Sequence, residues 1–421
     1  MNEQPRHNRL EELMPESSPK FAIDLTTALP PAPHIIHRAL EEAFRQMCRA
    51  DTTTMDIRHN RPGGAREDVE CGSRWLRGRF EQELDPERIV VTNGTQSALN
   101  LLFGTMEPGA TLFTESITYA VLKQLATRAG LKPIGVPVDQ EGIIPEALEE
   151  GCLGRTGQRV LFCNPTVHNP TTAVMGGARR VHLAETCRRL GISIIEDDVL
   201  GFLHPDAPPP IAAFAPDITW YCMSVSKCFA MGLRFAYLLA PSADRARELV
   251  APVQRLSWWF PNALSSLTIN HWIRTGLAQQ IIDAVRADIR ERHAIASEIL
   301  TATEYVTKPG SLHVWMPLPD RVERHALVNA AKLCGILIRP ADVFAVSDSR
   351  VPNAVRVSLT APPTTNDLTV GLSILDKLLG WEIQKAKESP FNDPTLGLSL
   401  LDKLLDGRSR RPRETRSKPL R

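Results

Sequence analysis

The strongest constraint on the fold is a regular alternation of two kinds of sequence between about residues 86 and 240. Short apolar runs rich in β-branched residues, which are typical of strands, alternate with segments that carry the apolar spacing of helices. The strand-like runs are "RIVVT", "TLFTES", "KPIGVPV", "RVLFCNP", "ISIIEDD", "TWYCMS" and "FAYLLAP". Because these runs are apolar on both faces, they predict an α/β fold with a doubly wound, mostly parallel sheet that helices cover on both sides.

The length of the chain, 421 residues, predicts a large and a small domain, since one ordinary core does not accommodate so many residues. The mixed segments "GSLHVWMPLP", "GILIRPADVFAV" and "AVRVSLTAP" indicate a smaller α+β domain, which a helix over 368–381 should close. The predicted divisions are a disordered polar lead over 1–20, an N-terminal segment of the small domain over 21–60, the large domain over 61–280, the small C-terminal domain over 281–381, and a further helix with a basic tail over 382–421.

The last of these divisions contains a duplication. The sequence "GLSILDKLLG" at residue 371 recurs as "GLSLLDKLLDG" at residue 397. Two copies are too few for a solenoid, so we interpret the second as a loosely docked helix without a catalytic role. The tail "GRSRRPRETRSKPLR" is interpreted as a solvated disordered end, with nucleic-acid contact as the alternative.

The composition indicates which kinds of binding partner to expect. The chain has 49 Lys and Arg against 48 Asp and Glu, so its charge gives no reason to expect nucleic acid or an anionic membrane as a partner. Eight cysteines without a C-x-x-C pair argue against a zinc ribbon or a dithiol redox centre, and we predict no metal site. The sequence has neither a signal-peptide core nor an apolar run of the roughly 18 residues that span a membrane. We therefore expect a soluble, cytoplasmic protein that binds a small molecule.

Candidate functional residues follow the strand-like runs, because ligands bind at the carboxyl ends of the strands in open α/β sheets. These positions hold anion donors, an aromatic ring, carboxylates and an amine. They are Asn93, Gly94, Thr95, Gln96, Tyr119, His168, Asn169, Asp197, Asp198, Ser224, Ser226 and Lys227.

A phosphate site is indicated by "TNGTQSAL", which places Gly94 and Thr95 at the opening of a helix. Free N–H groups and the helix dipole favour an anion there, although an ordinary helix cap is the alternative. The hydroxyls of Ser224 and Ser226 and the guanidinium of Arg234 are further suitable donors, unless Arg234 is a surface charge.

Asp197 and Lys227 indicate which molecule carries that phosphate. Burial at the end of an apolar strand would raise the pKa of Asp197 unless a cation, such as a protonated ring nitrogen, were its partner; a helix cap, a salt bridge and a metal ligand are the alternatives. The apolar surroundings of Lys227 and nearby Arg234 favour a neutral amine, which forms Schiff bases with carbonyl groups, whereas most lysines are solvated at the surface. Together these residues indicate pyridoxal 5'-phosphate.

Several motifs, in order along the chain, also resemble a known family. The segment "SVSKCFAMGLRFAYLLAP" resembles the S-x-S-K-x-x-x-x-G-x-R motif of fold-type I pyridoxal-phosphate enzymes in the class I/II aminotransferase group. "NPTVHNPTTAVM", "IIEDDV" and "VTNGTQSAL" are similar to that group's N-P-x-x-x-N-P-T-G, aspartate and phosphate motifs. "SLHVWMPLP" is similar to a segment of the aminotransferase-like domain of MocR-type regulators. Because only the polar lead precedes the cofactor domain, we expect no winged helix DNA-binding domain like that of those regulators.

The resemblance implies roles for individual residues. Lys227 would form the Schiff base and then shuttle a proton, while Asp197 would hold the pyridinium and Asn169 the phenolic oxygen of the cofactor. Tyr119 would stack on the ring, and Arg356 in "AVRVSL" would bind the substrate carboxylate, with a charge at a strand edge as the alternative. The residues expected at the phosphate are Gly94, Thr95, Gln96, Ser224, Ser226 and Arg234. The family also implies a homodimer with both active sites at the interface.

The chain departs from the family pattern at three positions. Leu200 stands where a tyrosine is usual, His59 stands near the expected position of a partner subunit's tyrosine, and Thr172 replaces a glycine. We expect an aminotransferase that acts on an amino acid. The departures leave a pyridoxal-phosphate-dependent lyase, a β- or γ-replacement enzyme or a carbon–carbon bond-forming enzyme of specialised metabolism as one alternative. A non-catalytic cofactor-sensing effector module is the other.

Overall fold

This computed structural model describes residues 22–252, 254, 260–346 and 351–388. The predicted lead over 1–20 lies outside the described residues. So do the second copy of the duplicated helix and the basic tail, because the description ends at residue 388.

The strands are, in chain order, β1 Ile23–Asp24, β2 Ile89–Thr92, β3 Thr111–Glu115, β4 Lys132–Val136, β5 Val138–Asp139, β6 Gly142–Ile143, β7 Arg159–Cys163, β8 Ser193–Asp197, β9 Thr219–Ser224, β10 Ala236–Leu239, β11 His313–Pro317, β12 Ile336–Leu337, β13 Arg339–Pro340 and β14 Ala354–Ser358. The α-helices are α1 His34–Arg49, α2 Thr53–Arg58, α3 Arg66–Phe80, α4 Thr95–Phe103, α5 Leu122–Arg128, α6 Pro145–Cys152, α7 Gly177–Leu190, α8 Ile211–Phe214, α9 Ala243–Val250, α10 Ala263–Thr275, α11 Leu277–Ile299, α12 Arg324–Leu333 and α13 Thr365–Glu388. Within these ranges of the chain, no helix has the length and apolarity needed to cross a membrane.

A seven-stranded sheet in the order β2-β10-β9-β8-β7-β3-β4 forms the centre of the molecule. All seven strand-like runs of the sequence form strands of this sheet, as predicted. Only β10 is antiparallel to its neighbours, β2 and β9, while the remaining pairs are parallel. The predicted mostly parallel α/β fold is confirmed.

The strands of this sheet are apolar throughout because helices cover both of its faces. Side chains alternate between the two faces of a strand. Trp220 and Cys222 of β9 lie in one core, with residues of α4, α5 and α9. Tyr221 and Met223 lie in a second core, with residues of α1, α3, α10 and α11. A strand buried on both faces has no polar face, which is why the runs read as continuously apolar.

A smaller layer contains the sheet β11-β14-β13, packed with α12 and α13 around a separate core. Strand β1 pairs with β12 of the smaller layer. The helix α1 instead packs in the core between the large sheet and α10, where Trp272 Nε1 donates to Ala39 O at 3.0 Å. The helix α11 is continuous across residues 280 and 281, with Ile281 in the large core and Ala296 in the small one. The closing helix α13 is longer than the predicted 368–381. The division into domains stays a prediction.

Candidate active site

A cavity of about 340 Å³ lies where the parallel strands of the large sheet end, and residues of the N-terminal loop and of the small layer complete its wall. Its size is typical of small-molecule sites. The predicted site residues that line it are Thr95, Gln96, Tyr119, Asn169, Asp197, Ser224, Ser226, Lys227, Arg234 and Arg356. Gly94 directly precedes α4 at the same end of the sheet.

The start of α4 forms one end of the cavity. Gly94 has a φ of +95°, and a Cβ at this position would lie 3.1 Å from Nη2 of Arg234. A glycine therefore allows the guanidinium to approach the first turn of the helix. Ser224 Oγ donates to Ser226 Oγ at 2.8 Å beside them. Cationic and hydroxyl donors thus lie together with a helix N-terminus, which is a favourable setting for a phosphate.

Lys227 follows β9 and is half-buried in the cavity wall, where its Nζ donates to Ala28 O of the N-terminal loop. Burial, followed by the nearby charge of Arg356, lowers the pKa of Lys227 to about 8, while Asp197 opposes this shift. A substantial fraction of this amine is therefore uncharged at mildly alkaline pH, as a nucleophile requires.

Asp197 ends β8 and is 6% exposed. Burial, reinforced by the charges of Asp198 and Glu115, raises the pKa of the Asp197 carboxyl to about 8. Its Oδ1 atom has no hydrogen-bond partner in the described part of the chain. A buried carboxylate oxygen without a hydrogen-bond partner would be stabilised by a cationic donor.

The two acids on either side of Asp197 have protein partners. Glu196 accepts hydrogen bonds from the backbone N–H groups of Ile211 and Ala212, each at 2.9 Å. Asp198 accepts from Arg79 Nε at 2.9 Å and from Tyr221 at 2.8 Å. The run "EDD" is therefore divided between two structural roles and one carboxylate facing the cavity. Within the described ranges, no group of three or more His, Cys, Asp or Glu side chains has the arrangement of a metal site.

Arg356 on β14 lies opposite the sheet end and is anchored on two sides. Its Nη1 donates to Asn169 Oδ1 at 2.7 Å, and its Nη2 donates to Thr26 O. The guanidinium carbon lies 4.8 Å from the ring centroid of Phe344. Its Nε is buried and has no partner among residues that the structure describes. Burial, then the charge of Arg339, lowers the pKa of Arg356 to about 10.

The remaining polar groups hold these side chains in position. Asn164 donates through Nδ2 to Asp197 O at 2.5 Å and accepts from Asn169 N at 2.9 Å. Tyr119 accepts a hydrogen bond from Gln96 Nε2 at 2.8 Å. These hydrogen bonds connect the segment after β2 with the one after β3, and the loop after β7 with the end of β8.

Several lining residues were not identified from the sequence. They are Thr26, Thr27, Ala28, Ala120, Val121, Asn164, Val199, Met231, Leu312, His313, Arg339 and Phe344. Seven of these twelve lie far in sequence from the strand-end motifs, in the N-terminal loop and in the small layer. Two had a sequence signal: Asn164 begins the "NP" of "NPTVHNP", and the cationic Arg339 interrupts an apolar run in "GILIRPADVF".

The three departures from the family pattern have different surroundings. Leu200 is buried and lines the cavity. His59 is exposed and does not contribute to the cavity of its own chain, and its Nδ1 lies 3.3 Å from Met55 O. Thr172 is fully buried with a φ of +62°, in the left-handed region that favours glycine. A β-branched residue is strained in this conformation.

The side chains fit pyridoxal phosphate. The unpartnered Oδ1 of Asp197 suits a protonated ring nitrogen, and Lys227 supplies an amine in the same cavity. At the other end, the space that a Cβ at Gly94 would fill lies between Arg234 and the first turn of α4. The cavity therefore offers an acceptor for the cofactor's ring nitrogen, an amine for its aldehyde and an anion site for its phosphate.

Comparisons with known proteins show relatives in sequence and in fold. The uncharacterised HTH-type transcriptional regulator YdeF of Bacillus subtilis is 26% identical over 372 residues, which cover 87% of this chain and 78% of the regulator. The regulator YdfD of the same organism is 27% identical over 294 residues; the match covers 68% of this chain and 59% of the length of YdfD. An archaeal alanine:glyoxylate aminotransferase has a similar structure, with a TM-score of 0.77 and 23% identity over 86% of this chain and 91% of that one.

The family match extends over most of the chain. Residues 62–375 match the family described as aminotransferase class I and II. This range includes the large sheet, Lys227 and Arg356. The chain therefore belongs to the aminotransferase class I and II family and is a pyridoxal-phosphate-dependent transferase of fold type I.

Proposed function

We propose that the protein is an aminotransferase that acts on an amino acid, with Lys227 as the residue that would hold the cofactor through a Schiff base. The observation that carries this proposal is the meeting, in one cavity, of Lys227, the buried Asp197 and the anchored Arg356. When bound, pyridoxal phosphate supplies a reactive aldehyde and an electron-withdrawing pyridine ring.

Lys227 has two tasks in this proposal. Its lowered pKa, about 8, makes the neutral amine available for covalent attachment of the cofactor aldehyde. With its Nζ free, Lys227 would act as the base that removes the proton from the substrate Cα and as the acid that returns it. The Ala28 carbonyl, which accepts from Nζ, holds the amine within the cavity.

Asp197 and the start of α4 hold the two ends of the cofactor. The Asp197 carboxylate would accept a hydrogen bond from the ring nitrogen and favour its protonated form. The phosphate would receive hydrogen bonds from Arg234, Ser224 and Ser226 and from the N–H groups at Thr95 and Gln96.

Arg356 orients the substrate by binding its α-carboxylate. A guanidinium offers two parallel donors to a carboxylate, which a lysine does not. Asn169 and Thr26 hold the Nη atoms while Phe344 covers the group, so little side-chain entropy remains to be lost when a substrate binds.

The variant Lys227→Ala tests the assignment of the amine. We expect borohydride reduction of the holoprotein to leave no covalent adduct, and amine transfer to fall by about 10²-fold or more. The matched control is Lys123→Ala, because Lys123 is an exposed lysine on α5. A borohydride-trapped adduct that persists in Lys227→Ala would refute the proposal.

Leu200 favours a second candidate function. An apolar side chain at this place in the cavity wall offers no hydrogen bond to the cofactor, which leaves a lyase or a β- or γ-replacement reaction as an alternative. Incubation of the holoprotein with single amino acids, without an oxo acid, separates the two. Stoichiometric conversion to the pyridoxamine form supports transfer, whereas release of a side-chain fragment supports the alternative.

We also propose that the protein acts as a homodimer. Phe44 on α1 and Met55 and Ile57 on α2 are 45%, 53% and 51% exposed, although they are large and apolar. His59, close to them in the chain, does not contribute to its own cavity. A second copy that covers this surface would remove the apolar side chains from water.

A further inference from the structure

The cavity has more positive than negative charge. Four of its lining residues are basic: Lys227, Arg234, Arg339 and Arg356. Asp197 is the one acidic side chain among the described residues that line it. An excess of cationic groups in a concave site with apolar walls attracts anionic ligands.

The proposed function accounts for every one of these charges except one. Asp197 pairs with the ring nitrogen, and Arg234 with the phosphate. Lys227 is the reacting amine, and Arg356 binds the α-carboxylate of the substrate. Arg339 has no partner in this scheme.

Arg339 lies directly beside Arg356. The two residues are cross-strand partners in the antiparallel pair β13–β14, so their side chains leave the sheet on the same face. Both donate to the same oxygen atom, Thr26 O, with Arg339 Nε at 3.2 Å. Like charges opposite one another are unfavourable, and the charge of Arg339 contributes to the lowered pKa of Arg356.

The nearby acids make their hydrogen bonds to other groups, although the charge of Asp24 opposes the lowering of the Arg356 pKa. Asp24 accepts from the backbone N–H and the hydroxyl of Thr26, both at 2.6 Å. Asp342 is held by Arg324 in a two-pronged contact of 2.7 and 2.5 Å. In the described ranges, neither Arg339 nor Arg356 has a carboxylate within ion-pair distance. A ligand carboxylate at these two guanidiniums would therefore add a direct ion pair that the described residues do not supply.

We propose that Arg339 forms a second carboxylate subsite beside Arg356, and that the substrate is a dicarboxylic amino acid or oxo acid. Arg356 binds the α-carboxylate and Arg339 binds the carboxylate at the end of the side chain. This inference rests on the proposed function of the same cavity, since that function assigns Arg356 to the first carboxylate. It makes Arg339 a determinant of specificity that does not take part in the proton transfers.

Binding of unreactive acids tests the subsite directly. The holoprotein is titrated calorimetrically with succinate, glutarate and adipate, and with the matching monocarboxylates butanoate, pentanoate and hexanoate. At one or more chain lengths, the wild type should bind the dicarboxylate about 10-fold or more tightly than its monocarboxylate partner, because a charge-assisted hydrogen bond is added. Arg339→Gln should lose this preference and bind monocarboxylates within about twofold of the wild type.

Two further variants separate charge from structure. Arg339→Lys keeps the charge without the forked geometry and should retain part of the preference. Arg321→Gln removes an exposed arginine of the same layer and should leave both classes of ligand unaffected. If Arg339→Gln weakened the binding of dicarboxylates and of monocarboxylates equally, the two arginines would share one carboxylate, and the proposal would be overturned. Unchanged binding would overturn it as well.

Measurements of turnover with two amino donors test the subsite separately from the proposed function. With L-glutamate and L-norvaline as donors of equal chain length, Arg339→Gln should lower kcat/KM for glutamate about 10-fold or more and leave norvaline nearly unchanged. If the wild type transfers amine from both donors without a preference for the acid, the subsite is wrong while the function stands. If dicarboxylates bind but no tested amino acid donates its amine, the subsite stands while the function fails.

Discussion

At the scale of single residues, Asp197 and Lys227 lie where burial opposes the charged form of each. The pKa of the aspartate is raised and that of the lysine is lowered, each to about 8. In the proposed function, pyridoxal phosphate would relieve both conflicts, because its ring cation would pair with the carboxylate and its aldehyde would bind the amine covalently. Perturbed groups of this kind concentrate at functional sites, where they lower the stability of the unliganded protein.

Replacement of Asp197 by Asn should therefore stabilise the cofactor-free protein in a pH-dependent manner. Between the unfolded pKa near 4 and the folded value of about 8, the folded state retains a proton that the unfolded state loses. This group's contribution to stability is thus present at low pH and is lost as the pH rises through 8. Urea unfolding should show a gain for Asp197→Asn at both pH values that is larger at pH 8 than at pH 5 by several kcal/mol.

The matched control for this experiment is Asp206→Asn, because Asp206 is an exposed acid. Its effect on unfolding should be small at both pH values. The same Asp197→Asn protein should bind pyridoxal phosphate more weakly. A gain in stability that is equal at pH 5 and pH 8 would contradict the raised pKa of Asp197.

At the scale of secondary-structure elements, the start of α4 forms the proposed phosphate-binding end of the cavity. Gly94 combines a φ of +95° with a ψ of 172°, a conformation almost restricted to glycine. The absence of a Cβ brings Arg234 within reach of the helix N-terminus. The glycine at position 94 thus allows both the turn between β2 and α4 and the close contact with the guanidinium of Arg234.

Gly94→Ala should weaken the cofactor site more than it weakens the fold. Backbone strain costs about 1–3 kcal/mol, and the new Cβ displaces Arg234, so we expect the Kd for pyridoxal phosphate to rise about 10-fold or more. Gly276→Ala is the control. It also has a positive φ, of +79°, but open space around its Cβ. It should lose stability without losing cofactor affinity, as measured by fluorescence titration; equal affinity losses in both variants would argue against the role of Gly94.

At the scale of the whole molecule, the site depends on parts of the chain that are distant in sequence. The large sheet contributes Lys227 and Asp197, the N-terminal loop contributes Thr26 and Ala28, and the small layer contributes Arg356. Movement of the small layer relative to the sheet would change the position of Arg356 relative to Lys227. The proposed homodimer adds a further level, because the exposed apolar surface on α1 and α2 lies outside this cavity.

The dimer is tested by Ile57→Asp. A charge in the proposed interface is strongly unfavourable, so we expect light scattering to change from a dimer to a monomer of 46.7 kDa, with a loss of activity. Leu153→Asp is the control, because Leu153 is 78% exposed at the end of α6. A wild-type protein that is monomeric at micromolar concentration, or an Ile57→Asp protein that stays dimeric, would exclude this interface.

Much of this architecture was predictable from local sequence. All seven runs form strands of the sheet, because burial on both faces requires continuously apolar segments of strand length. The residues that follow these strands line one cavity for a related reason, since parallel strands end at a common edge. Lys227 and Asp197 could thus be identified as neighbours from the order of the motifs alone.

Only the tertiary structure decided what completes the cavity. Arg356 reaches Asn169 and Thr26 across 187 and 330 residues of sequence, and Arg339 reaches Thr26 across 313. Such contacts leave no periodic pattern, because hydrophobic spacing records which face of an element is buried and not which distant loop covers it. The sequence determined the sheet and the chemistry at its edge, whereas the packing of the small layer placed two arginines side by side and thereby defined the proposed specificity.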